Sequence, residues 1–266
     1  MSLSRRSIAL VGSVLLMACT AESNAPHAPA AGGSTLFHAG MVGALLAGVY
    51  DGQFEIEAVR KHGDFGLGGF HALDGEMVVL DGHVYQVTSD GKVHGVPDAA
   101  KTPFAAVTFF RPEQRIAWSS TQGRTPAFEA FLERERLAPQ RLYAIKITGR
   151  FKRLLARSVA AQTPPYRPLP EVIAASQKTF PFENVEGTMV GFRLPQHVNG
   201  VNLPGYHFHF LDRARTAGGH VLEYEIDQAD VEMQLLHGYT VELPEGAAFY
   251  EVDLARDRRN DIRAIE

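Results

Sequence analysis

The chain has 266 residues, 45% hydrophobic and 21% charged, which is the balance of a folded protein large enough for one sizeable domain or two small lobes. A formal net charge of −4, with no basic run and no basic–aromatic patch, argues against nucleic acid as a partner. The single cysteine excludes a disulfide framework and a thiolate zinc site, so any metal must rest on histidines and carboxylates.

The first nineteen residues, MSLSRRSIALVGSVLLMAC, read as a bacterial export signal. Arg5 and Arg6 precede an apolar run from Ile8 to Met17 that is too short for a membrane span. Leu16-Met17-Ala18-Cys19 has the form of a lipobox, which predicts that Cys19 is lipidated and becomes the mature N-terminus. Thr20 follows it, and carries no signal for retention in the inner membrane. Residues 20–35, TAESNAPHAPAAGGST, then read as a flexible tether. The expectation is an exported protein that touches the membrane only through its lipid anchor and faces the periplasm or cell surface.

Folded structure is expected from about Leu36. Phe37, Met41, Leu45 and Val49 recur every four residues, which predicts a short helix ending near Gly52. Asp74-Gly75, Asp81-Gly82 and Asp90-Gly91 punctuate short apolar runs and predict a β-meander. Further strands are predicted at Ala105–Phe110, Leu142–Ile147 and Leu154–Val159, with a helix over Pro126–Leu137. Residues 162–170 carry four prolines and read as a seam. Beyond it, strands are predicted near Val185–Leu194, Tyr206–Leu211, His220–Ile226, Val231–Leu236 and Phe249–Leu254, and a last helical turn in the charged tail. The expected fold class is α+β and β-rich: two lobes, 36–161 and 162–266, each built on a mixed or antiparallel β-sheet with few short helices.

The stretch GYHFHFLDRARTAGGH, Gly205 to His220, carries the chemistry. As a strand, His-Phe-His-Phe puts His207 and His209 on one face and Phe208 and Phe210 on the other. On a helix the two histidines would lie about 200° apart. A polar loop ending in Gly218-Gly219 predicts a hairpin whose second strand begins at His220. Three imidazoles from two neighbouring strands suit Zn²⁺ and leave a position for water or substrate, as a catalytic site requires. Asp212 and Arg213 follow, without the downstream Glu of a cupin metal site. Spacing alone leaves several readings open: a His₃-zinc lyase, a hydrolase or hydratase, or a non-enzymatic surface lipoprotein that binds metal or a small ligand.

Several strings together resemble the bacterial α-acetolactate decarboxylase family: GVYDG (Gly48–Gly52), HGDFGLGGFHALDGEMVVLDGHVYQV (His62–Val87), PFAAVTFF (Pro103–Phe110), LYAIKITGRFKRLLARSV (Leu142–Val159), NVEGTMVGF (Asn184–Phe192) and GYHFHFLDRARTAGGHV (Gly205–Val221). The resemblance implies conversion of (S)-α-acetolactate to (R)-acetoin and CO₂ at a zinc ion that stabilises an enediolate. It also implies a homodimer. The family's zinc histidines fall on His207, His209 and His220. Its active-site glutamate falls on Glu76, its arginine on Arg157, and a second glutamate near the C-terminus on Glu266. One position departs: Gly69 stands where many members carry Thr.

Overall fold

The computed structural model describes residues 34–119, 125–135 and 137–265. The expected export signal, Cys19, most of the tether, and Glu266 lie outside the described residues. In chain order the first elements are β1 (Thr35–Ala39), α1 (Val42–Leu46), β2 (Phe54–Glu55), α2 (Ile56–Arg60), β3 (Phe65–Gly69), β4 (Glu76–Leu80) and β5 (His83–Val87). Next come β6 (Val93–Gly95), β7 (Lys101–Thr102), β8 (Ala105–Thr108), β9 (Gln114–Ser119), α3 (Thr125–Glu135) and β10 (Leu142–Ser158). The last are α4 (Leu169–Ser176), β11 (Lys178–Leu194), β12 (Gly205–Asp212), β13 (Gly218–Leu236), β14 (Gly238–Glu242), α5 (Ala247–Tyr250) and α6 (Arg259–Arg263).

The β-rich class with mixed and antiparallel sheets and few short helices is what the chain adopts. Seven strands form a mixed sheet in the order β14-β1-β8-β3-β4-β5-β6, with only β1–β14 parallel among its pairs. Asp81-Gly82 is the tight turn between β4 and β5, with φ of 53° and 76°. Two successive positive φ values are what a twisted two-residue hairpin demands. Five strands form a second, antiparallel sheet in the order β10-β11-β12-β13-β9. There β10 also pairs with β13, so β10, β11, β12 and β13 close into a small barrel.

Alternation along β12 separates two cores. Phe208 and Phe210 point into the barrel, among Phe151, Met189 and Tyr224. Each such side chain contributes roughly 1.5–3 kcal/mol by leaving water. Leu211 points the other way, into the apolar layer between barrel and seven-stranded sheet, with Leu67, Val78, Val190 and Phe192. His207 and His209 share that second face, so one strand's period delivers both to the junction of the two sheets.

Several sequence expectations need correction. Thr35–Ala39 is a strand, and the helix is confined to Val42–Leu46. A spacing of four fits a period of two as well as a helix, and β1 lies inside a sheet with Leu36 to Ala39 all buried. The two strands predicted at Leu142–Ile147 and Leu154–Val159 are one strand, as are those at His220–Ile226 and Val231–Leu236. Their polar centres are strand whose side chains reach the rim, as with Arg150 bound to Asp227 at 2.6 Å. Phe249–Leu254 is not a strand; it holds the end of α5 and a turn. The sheets do not divide at the proline-rich segment. β9 and β10 pair with strands that follow it, and β14 returns to pair with β1. Within the proline-rich seam itself starts α4, with Leu169, Val172 and Ile173 buried.

Candidate metal centre

Backbone register assembles the centre. His209 lies opposite His220 across β12 and β13, and His220 lies opposite Arg157 across β13 and β10. Cross-strand partners project to the same face, so these three side chains form a row across three adjacent strands. A bulge makes the row possible. Leu155 pairs with Glu223 and Ala156 with Val221, which leaves Leu222 as the extra residue. Without that insertion His220 would face the opposite side from Arg157. Facing the row from the other sheet is Glu76, the first residue of β4.

The three imidazoles are buried, at 7%, 1% and 2% exposure for His207, His209 and His220. His207 Nε2 lies 3.2 Å from His220 Nδ1, which lies 3.3 Å from His209 Nε2. One nitrogen from each ring falls within a sphere of 4.8 Å separation, a grouping that can hold a metal ion. Zn–N bonds of about 2.0–2.1 Å at a tetrahedral angle put ligand nitrogens ~3.3–3.4 Å apart, so the observed spacings fit that ion. His209 Nδ1 donates to the Met77 carbonyl at 2.7 Å, which leaves its Nε2 bare and aimed at the other rings. A ligating histidine ordinarily anchors its second nitrogen in this way. The donors are neutral: burial lowers His209 to about 3, against the Met77 hydrogen bond. Burial pushes His207 and His220 well down, helped at His207 by His209 and Arg157 and at His220 by Arg157, His207 and His209. Neutral imidazole is the form that binds a metal.

Two charged groups border the histidines. Glu76 Oε2 is 3.6 Å from His209 Nε2, and Glu76 Oε1 is 3.6 Å from Arg157 Nη1. Burial raises the Glu76 carboxyl to about 7, and Arg157 opposes the rise. Arg157 is itself buried, and its Nη2 donates to the Ile265 carbonyl at 2.7 Å. Beside them lies a pocket of about 60 Å³ with mostly apolar walls from Val42 and Leu45 of α1, Leu169 and Ile173 of α4, Phe104, Leu203 and Ile265.

The five described residues singled out from sequence, His207, His209, His220, Glu76 and Arg157, therefore meet at one place. Two backbone carbonyls and the helical wall were missed. The Met77 and Ile265 carbonyls carry no side-chain signal. The α4 wall had one: Pro168 caps the helix, Pro170 lies in its first turn, and Leu169, Val172 and Ile173 have helical spacing.

The family model described as alpha-acetolactate decarboxylase matches residues 36–256. The alpha-acetolactate decarboxylase of Methylococcus capsulatus is 43% identical over 231 residues, covering 87% of this chain and 88% of that protein. The protein of the same description from Methanosarcina mazei is 40% identical over 231 residues, covering 87% and 80%. The fold matches the crystal structure of acetolactate decarboxylase from Bacillus subtilis subspecies spizizenii with a TM-score of 0.84 and 36% identity, over 88% of this chain and 100% of that one. With sequence and fold both matching over nearly all of the described residues, the chain belongs to the alpha-acetolactate decarboxylase family.

Proposed function

We propose that this protein decarboxylates (S)-α-acetolactate to (R)-acetoin and CO₂, with zinc held by His207, His209 and His220. One observation carries the reading: three buried, neutral imidazoles converge beside Glu76 and Arg157 at the edge of a small apolar pocket. Family membership supports the substrate and the reaction.

Acetolactate is a β-keto acid with a hydroxyl on its central carbon. When its carboxylate leaves as CO₂, the bonding electrons move onto the ketone oxygen as an enediolate, and the central carbon must then take a proton. His207, His209 and His220 would hold the zinc ion, which would supply a Lewis acid for that developing negative charge. Arg157 orients the departing carboxylate, a task its fixed planar fork suits. The Ile265 carbonyl holds the guanidinium in place for it. Glu76 delivers the proton. Its buried carboxyl, raised to about 7, can be protonated near neutrality, as a general acid requires. The apolar walls keep competing water from the reacting carbon.

Glu266 completes the proposed site. Its support is its neighbour, because Ile265 is buried against the pocket and bonded to Arg157. The test is acetoin release from racemic acetolactate by the purified protein, with zinc measured on the same sample. The S enantiomer should be consumed directly, at about one zinc per chain. Glu266→Gln should lower turnover at least about tenfold, or roughly 1.4 kcal/mol of barrier. No acetoin would sink the decarboxylase reading, full turnover without metal the zinc, and full activity of Glu266→Gln the role of that residue.

The location proposed is the membrane surface, through a lipid on Cys19; the sequence Leu16-Met17-Ala18-Cys19 supports it. Cys19→Ser should release the protein from the membrane fraction or block its processing, and the catalytic part should still release acetoin. Processing and fractionation like the wild type would remove the anchor from the account.

A further inference from the structure

Arg157 and Glu76 belong to different sheets, yet their charged groups lie 3.6 Å apart. Ladder hydrogen bonds fix register within a sheet and do not set how one sheet sits against another. Here the two sheets are tied beside the pair itself. Ser158, the last residue of β10, follows Arg157, and its Oγ donates to the Val87 carbonyl of β5 at 2.8 Å. Val87 is the cross-strand partner of Glu76. Just beyond, the Gly75 amide donates to the Val159 carbonyl at 3.1 Å. Gly75 precedes Glu76 and Val159 follows Ser158, so the second bond reinforces the first.

Packing alone does not call for a serine here. Ser158 is fully buried and is not among the residues that line the pocket. An alanine would nearly fill the same space and bring no hydroxyl to satisfy. What the hydroxyl supplies is a directed bond between the strand that carries Arg157 and the hairpin that carries Glu76. Arg157 is then held at both ends: at its tip by the Ile265 carbonyl at 2.7 Å, and at its backbone by the Ser158 tie. Placement matters to the reaction, because a shift of about 1 Å in an orienting group can cost on the order of a hundredfold in rate.

We propose that Ser158 is a positioning residue for decarboxylation, whose hydroxyl ties β10 to the β4–β5 hairpin and so sets where Arg157 stands relative to Glu76. The inference rests on the decarboxylase reading, in which Arg157 orients the departing carboxylate and Glu76 delivers the proton. Ser158 touches neither substrate nor metal and acts through Arg157. Its loss should therefore slow the chemical step and leave in place the charge that attracts substrate. A serine that merely completes the buried hydrogen bonding would lower stability and leave turnover by the folded enzyme unchanged.

The experiment is a double-mutant cycle on the zinc-loaded full chain: wild type, Ser158→Ala, Arg157→Lys and the double variant, each with kcat, KM, zinc content and melting temperature. Ser158→Ala is expected to lower kcat about tenfold, to change KM less than about threefold, and to keep its zinc. In the Arg157→Lys background the same substitution should cost less than about twofold, because the fork it positions is already gone. Ser158→Cys keeps the size and a weak donor, so its kcat should fall between Ser158→Ala and wild type. It carries the test if Ser158→Ala does not fold. Thr108→Val is the control. It removes another buried hydroxyl, bonded to the Thr35 carbonyl at 2.9 Å and outside the pocket lining. Its melting temperature should drop by a comparable few degrees with kcat unchanged. Wild-type kcat in both Ser158 variants, or the full tenfold loss in both backgrounds, overturns the positioning role. Near-normal rates in Arg157→Lys overturn the role of Arg157, and no acetoin from the wild type overturns the decarboxylase reading; either takes this inference with it.

Discussion

His209→Ala is expected to leave the protein with background zinc and background acetoin release. His209 is anchored at Nδ1 by the Met77 carbonyl at 2.7 Å, which aims its Nε2 at the centre, 3.3 Å from the His220 ring nitrogen. Its loss leaves two imidazoles where the proposed ion needs three protein ligands. The residue is also buried at 1% exposure, so truncation carries a stability cost of roughly 1–3 kcal/mol through an unpartnered carbonyl and a small void. The two effects can be separated by thermal unfolding with and without added zinc. Wild-type protein should gain about 2.7 kcal/mol at a hundredfold excess of zinc over its dissociation constant, and the variant should gain almost nothing. His209→Gln, which nearly preserves volume, should melt closer to wild type and still bind no zinc tightly. Wild-type zinc content and turnover in His209→Ala would remove the three-histidine site from the mechanism.

Arg157→Lys should cost about a hundredfold in turnover, or ~2.7 kcal/mol of barrier, with zinc content unchanged. The substitution keeps the charge and removes the fork. Arg157 now spans two partners, Nη2 on the Ile265 carbonyl at 2.7 Å and Nη1 facing Glu76 at 3.6 Å. A single ammonium cannot hold the tail carbonyl and a departing carboxylate together. Because a cation remains beside Glu76, the loss measures geometry rather than charge balance. Stopped-flow or single-turnover rates would place the defect in the chemical step. Near-normal rates in Arg157→Lys would move this arginine out of the site and leave its bond to Ile265 as packing.

Some of this architecture is legible in the sequence itself. The hairpin from Gly205 to His220 is, because alternation is a local property of a strand and the Gly218-Gly219 pair marks its turn. The meander around Asp81-Gly82 is, for the same reason. The helix read across Phe37 to Val49 is not, because a period of four cannot separate a strand buried on both faces from a helix. Nor is the continuity of β10 and β13, whose polar middles at 148–153 and 227–230 mimic loops when their partners are unknown.

For the centre itself, the sequence alone determined that His207 and His209 share a face, that His220 stands close by on the next strand, and that Phe208 and Phe210 face away from them. Each follows from spacing within about fifteen residues. The tertiary structure alone decided how the rest arrive. Leu222 bulges out of β13 and turns His220 to the face of Arg157, a register choice that no periodicity within β13 reveals. Glu76 comes from a different sheet, and the Ile265 carbonyl comes from the far end of the chain, 108 residues from the arginine it holds. Such contacts depend on register and packing between segments remote in sequence, where a shift of one residue would send a side chain to the opposite face.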